Sequence, residues 1–442
     1  MRPIPPTRLA RAGAILAATT ALALELLAMA RPAAALGTWT ILDHPTTRDL
    51  NKLSFIDNDR GWVAGDNGTI LMTTNGGASW TTQTCPVTFD VIDIDMLDAQ
   101  RGWALAQQWP NDTSFVYGTT ILRTTDGGVV WAVQSTFDEQ FLHALEFVDS
   151  TRGCIGGDQG KLYRTSNAGA SWLPAFVDSA LFAQWPVRDF EFYSPTYGVA
   201  TGGFYDVTGI VWRTTDTGKT WTHKRVSGEP IWGTHFFDSL EVQCVGGDLD
   251  YGAGMVNSTN GAMSWEYTYL GIWGQASAVD YRTPTEGWAP LGFAGTYMYT
   301  LDAGRNWTAL FTPDSTAMYD VVFTDAATGY MVGQAGTILK YTDATTGVGD
   351  ASSSISHAAL LPNQPNPFGL RTRLQFRVQR RAFVSLKVYD VVGREVATVV
   401  ESELEPGDHW RDFDGAGLPA GVYYYRLSTG SYDETRKMTL IR

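Results

Sequence analysis

Along most of the chain, apolar and polar residues alternate in short runs broken by Gly, Asn and Asp. Such period-two alternation marks strands with one buried face. Leu53-Ser-Phe55, Trp62-Val-Ala-Gly65 and Thr69-Ile-Leu-Met72 read as three successive strands, A, B and C, and a fourth, D, starts at Trp80. The module then returns. Phe55, Met96, Phe147, Phe192, Phe237, Tyr281 and Phe323 each stand six residues before Gly61, Gly102, Gly153, Gly198, Gln243, Gly287 and Gly329. Two residues ahead of each lies a mainly apolar side chain: Leu53, Ile94, Leu145, Phe190, His235, Val279 and Val321. The pattern predicts seven like modules.

Between strands C and D a polar element recurs, beginning as Thr73-Thr-Asn75-Gly-Gly77-Ala-Ser79-Trp80. Its Asp or Asn falls at Asn75, Asp126, Asn167, Asp216, Asn260, Asp302 and Asp343, the seventh copy losing its Gly and Trp. Successive copies are 51, 41, 49, 44, 42 and 41 residues apart, the length of one four-stranded propeller blade. A short amide or carboxylate accepts hydrogen bonds from its own turn, Gly permits positive φ, and Trp buries a large ring. The element resembles the Asp-box (BNR) repeat, S/T-x-D-x-G-x-T/S-W. That resemblance implies a β-propeller in which the box is a hairpin element without chemistry of its own.

Blade seven lacks a strand D after Asp343, whereas Gly37-Thr-Trp39-Thr-Ile41 ahead of blade one looks like one. Placing that strand in blade seven closes the ring and removes open edges. The expected fold is all-β: a seven-bladed propeller over 36–343 closed by its N-terminal strand, followed by a small immunoglobulin-like β-sandwich over 359–442. Residues 1–35, with Arg2, Arg8 and Arg11 before an Ala/Leu-rich run and Ala33-Ala34-Ala35, read as a signal peptide. Small polar residues over 344–358 read as a linker. The run NQPNPF…VYDVVGREV…GLPAGVYYYRL…KMTLIR is similar to the C-terminal sorting domain of type IX secretion substrates. It implies a bacterial protein that is secreted or displayed on the outer-membrane surface, with the secretion machinery as a partner and membrane contact only through surface anchoring.

Charge narrows the partners. Residues 36–350 carry 16 Lys/Arg against 35 Asp/Glu, a field that repels phosphates and anionic lipid, so nucleic acid is not expected. Cys85, Cys154 and Cys244 show neither a disulfide framework nor, with His, a zinc spacing, and no cofactor is expected.

Strand parity puts the D–A connections and B–C turns on one face and the boxes on the other. Onto the first fall Trp109 in a long insertion, Trp185 and Arg188 entering blade four, Tyr205, Trp232, Tyr251 and Trp273. Flat rings on a rigid scaffold suit a glycan or an extended peptide, so these seven form the candidate ligand site. One residue before each strand-A aromatic stand Ser54, Asp95, Glu146, Glu191, Phe236, Asp280 and Val322. The four carboxylates, Asp95, Glu146, Glu191 and Asp280, line the axis and are a weaker candidate for a cation, against which stands the plainer role of bonding neighbouring strands. No catalytic residue is assigned. The leading expectation is an exported, non-catalytic binding protein. The alternatives are a secreted glycoside hydrolase or sialidase-like enzyme, although no arginine triad is recognisable, and an assembly scaffold, because the blade pattern also resembles photosystem II assembly factor-like propellers.

Overall fold

The computed structural model describes residues 37–110, 115–178, 184–343 and, with short gaps, 359–441. The signal-peptide segment, the linker and residues 111–114 of the blade-two insertion lie outside the described residues. Seven antiparallel sheets follow one another as expected, each running A-B-C-D in order. Strand A is innermost and packs on its neighbours around the axis, with Met318–Phe323 of blade seven meeting Leu50–Phe55 of blade one.

Closure runs through the N-terminal strand. Thr38–Ile41 pairs antiparallel with Ile338–Thr342 as the outer strand of blade seven, Trp39 opposite Tyr341. The Trp39 ring is buried among Tyr341, Trp288 and Phe323 at centroid distances of 5.3, 5.7 and 5.7 Å. Blade four carries one further strand, because Phe176–Val177 leaves blade three and runs parallel to Thr220–Ser227.

The boxes act as knots. In blade four the Thr214 hydroxyl donates to Asp216 Oδ1 at 2.9 Å and accepts from the Gly218 N–H at 3.0 Å, while Asp216 Oδ1 accepts from the Thr220 N–H at 2.9 Å. The same triplet recurs around Asn75, Asp126, Asn167, Asn260 and Asp302. These knots also join blades: the indoles of Trp62 and Trp103 donate to the Gly127 and Ala168 carbonyls of the next blade's box at 3.0 and 3.2 Å. Asp343 is ion-paired with Arg282 at 3.4 Å.

The glycines six residues after the strand-A aromatics have a steric purpose. A Cβ on Gly198 would lie 2.5 Å from the Phe192 ring, and Gly61 and Gly329 are crowded in the same way by Phe55 and Phe323. Blade five departs from the expected register. The six-residue spacing in the sequence pairs Phe237 with Gln243 and turns Phe236 toward the axis. In the structure the pair is Phe236 and Val242, so His235 faces the channel and Thr234 the blade interior. Val242 stands where most blades have Gly, and Phe236 packs instead against Tyr193 and Tyr197. Gly198→Ala is therefore expected to cost about 1–3 kcal/mol through overpacking, measured by urea unfolding.

The tail folds as two packed sheets: Ala359–Leu360, Arg371–Val378 and Gly407–Asp414 in one, Ala382–Tyr389, Glu395–Leu404, Gly421–Thr429 and Tyr432–Leu440 in the other. Phe368, Phe376, Leu386, Tyr425 and Met438 fill the space between them. All three cysteines are free, and Cys154 and Cys244 are buried.

Candidate functional site

Strand A begins with a departure from alternation. In six blades the register shifts by one residue, between Leu50 and Lys52, Val91 and Asp93, Leu142 and Ala144, Val187 and Asp189, Ile231 and Gly233, and Met318 and Asp320. A bulge re-aims the extra side chain. The residues skipped are Asn51, Ile92, His143, Arg188, Trp232 and Tyr319, and they form a rim where strand A enters from the loop face. Asn51 donates to Asp66 at 3.0 Å, and His143 pairs with Asp158 at 2.7 Å, each partner lying in its own blade's B–C turn. Burial lowers the pKa of His143, against the opposing pull of Asp158.

Arg188 and Trp232 are neighbours on this rim. The guanidinium carbon of Arg188 lies 5.1 Å from the Trp232 ring centroid, and the Trp232 N–H donates to the Gly247 carbonyl at 3.2 Å. Tyr205 reaches the same indole at 5.7 Å, while its hydroxyl donates to Gln275 at 2.9 Å. Trp185 packs on Phe204 at 5.3 Å. Trp273, 44% exposed, donates to the Leu249 carbonyl at 2.7 Å in the loop that carries Tyr251, itself 62% exposed. Arg188, Tyr205 and Trp232 thus come together, with Trp185 beside Phe204, Tyr251 on the adjoining blade-five loop, and Trp273 bonded to that loop from the connection into blade six. Trp109 forms a separate pair, stacked on Phe141 at 4.2 Å.

Below the rim the channel opens into a cavity of about 330 Å³. Its wall holds Asp95, Glu146, Glu191 and Asp280, and also Asp93, Asp189, Asp320 and one lysine, Lys52. Most of these carboxylates join blades. The N–H groups of Leu145, Phe147, Phe192, Phe323 and Leu53 donate to Asp93, Asp95, Glu146, Asp280 and Asp320 of the preceding blade, at 2.7 to 3.2 Å. Lys52 lies 3.6 Å from Asp189 and 3.8 Å from Asp320. Burial pulls the Lys52 pKa down, but Asp320 and then Asp189 outweigh it and hold the ammonium charged above its usual range. The wall therefore already contains its own cation.

Burial also drives the carboxyls upward: Asp93 to about 7, Asp95 and Asp189 to about 6, and Glu191 to about 8, the last helped by Asp189 and Asp280. Glu146 rises for the same reason and through Glu191. On the loop face, Asp206, Glu229 and Asp248 bring carboxylate oxygens within 4.8 Å of one another. Two of the three brace loops: Glu229 accepts from the Asp206 N–H, and Asp248 from those of Asp250 and Tyr251.

The ring, its boxes and its sandwich tail define an exported Asp-box propeller. A family model described as photosynthesis system II assembly factor YCF48 matches residues 31–342, and the chain belongs to that family. A second model, the secretion system C-terminal sorting domain, matches residues 364–441 and marks the protein for secretion or the outer surface. One curated relative, the photosystem II assembly lipoprotein Ycf48 of Picosynechococcus sp., is 29% identical over 196 residues. The match covers 42% of this chain and 55% of the relative, so the chain spans about half of that protein's length.

Two solved YCF48 structures share the fold at a TM-score of 0.54 and cover 69% of this chain. One is described as bound to D1 peptide, at 21% identity over 96% of its own length. The other is from Cyanidioschyzon merolae, at 17% identity over 98% of its length. A GH74 xyloglucanase from Xanthomonas campestris also has a TM-score of 0.54, at 12% identity, covering 91% of this chain and 68% of its own.

Proposed function

We propose that this protein is an exported, non-catalytic scaffold that holds an extended segment of a partner protein across the loop face of its propeller. The observation that carries this reading is the cross-blade platform of Arg188, Tyr205 and Trp232. Trp232 is held by the Gly247 carbonyl of its own blade and Tyr205 by Gln275 on the connection into blade six, so little side-chain freedom remains to be lost on binding. Tyr, Trp and Arg are the side chains that dominate protein recognition surfaces. The YCF48 structure described as bound to a peptide supports a peptide over a glycan.

Hydrolysis is not supported by the rim. Arg188 stands alone there among the rim side chains, while Arg282 lies at the far end of its own strand A, bound to Glu286 at 2.6 Å.

Parallel screening of the full mature chain on peptide and glycan arrays, with turnover assays on xyloglucan and sialosides, tests this reading. Peptide retention without turnover is expected, weakened about tenfold or more by Trp232→Ala or Tyr205→Ala. Turnover, or retention of glycans alone, would overturn it.

A further inference from the structure

Arg188 stands out on the rim because it has no counter-ion. Among the described residues no carboxylate lies within ion-pair distance of it and no hydrogen bond engages it, although the chain carries 46 Asp and Glu. Its Nε is buried without an acceptor. The nearby acid, Asp158, is occupied by His143. Burial depresses the Arg188 pKa, and Asp158 and then Tyr205 only partly offset this. A guanidinium partly withdrawn from water and left without a counter-ion is costly, so a fold that keeps one at the mouth of a binding face favours the arrival of an anion.

The surroundings specify what kind of anion. The guanidinium carbon lies 5.1 Å from the Trp232 ring centroid, a cation–π contact that uses none of its N–H groups. A planar carboxylate matches a guanidinium edge through two parallel N–H···O bonds. Tyr205 and Gln275, bonded to each other, supply further polar atoms beside the same indole. A multiply charged anion is disfavoured by the carboxylate-lined channel beneath.

We propose that Arg188 is the anchor for a carboxylate of the bound peptide, supplied by an acidic side chain or by the chain end. The inference rests on the peptide reading above and adds the chemistry that sets its specificity.

The test starts from short arrayed peptides that the full mature chain retains. Each is remade as the free acid, as the C-terminal amide, and with every Asp or Glu replaced by Asn or Gln. Affinity is measured for wild type, Arg188→Met, Arg188→Lys and, as a control on the box face, Arg305→Met. Loss of the paired carboxylate, from either side, is expected to weaken binding at least tenfold, the scale of a charge-assisted bidentate bond. The two losses should not add, because they remove one interaction. Arg188→Lys should recover only part of the affinity, and thermal melts should show every variant folded.

Which remade peptide loses affinity tells chain end from side chain. Equal binding of acid and neutral peptides, or additive losses, would overturn the carboxylate anchor and leave peptide binding standing. Retention of oligogalacturonate, but of no peptide, that Arg188→Met abolishes would overturn the peptide reading and keep the anchor. No binding to either probe would overturn both.

Discussion

Replacing Trp39 with alanine lowers the unfolding free energy of the propeller by about 3–5 kcal/mol, the range for emptying a buried Trp site. The ring touches side chains from blades six and seven, so the change leaves a cavity at the seam behind the outer strand of blade seven. Urea unfolding followed by near-ultraviolet circular dichroism should show an earlier midpoint with an unchanged slope. Trp410→Ala serves as the control, because that ring is largely exposed on the tail. A Trp39 variant as stable as wild type would mean that the seam is held elsewhere.

The second large effect is on pH. Asp93, Asp95, Asp189 and Glu191 hold protons more tightly in the ring than in the unfolded chain, their folded values standing near 7, 6, 6 and 8. Groups raised on folding contribute stability that is full below their ordinary carboxyl range and is lost as pH climbs through the folded values. Stability should therefore fall between pH 5 and pH 8. Lys52 titrates above this window. His143, lowered by burial, acts in the opposite direction but is a single group. The cavity is partly open and Lys52 and Asp189 keep some solvent contact, so about 2–4 kcal/mol is expected in all. Urea unfolding at pH 5, 6.5 and 8 measures it. Glu191→Gln should flatten the slope by raising stability at pH 8 while changing little at pH 5. A level profile in wild type would refute the account.

The sequence disclosed what is local. A box is a turn of a few residues closed by its own hydrogen bonds, so Asn75, Asp126, Asn167, Asp216, Asn260 and Asp302 could be recognised one at a time. The displaced strand around Trp39 was visible because the seventh module lacked a piece. The bulges were harder, since they break the alternation used to find strands. Their trace is an odd offset: Leu50 and Leu53 are both buried, three residues apart, as are Leu142 and Leu145.

That offset hid Asn51, Ile92, His143 and Tyr319 of the rim, whereas Lys52, Asp93, Asp189 and Asp320 face the axis by plain alternation, two residues before Ser54, Asp95, Glu191 and Val322. In blade five Val242 takes the place of the usual Gly, so the marker that sets the register in the other blades is missing there. The contact between Arg188 and Trp232 joins two blades 44 residues apart, and no local pattern encodes such a meeting.

The seam also dictates an order of assembly. Trp39 emerges from the ribosome early, yet its partner Tyr341 lies some 300 residues later, so no partial chain can complete the ring. Pairings this distant are slow to form, and until then blade seven presents an unfinished edge. Ring closure therefore waits until the last blade of the propeller has been synthesised.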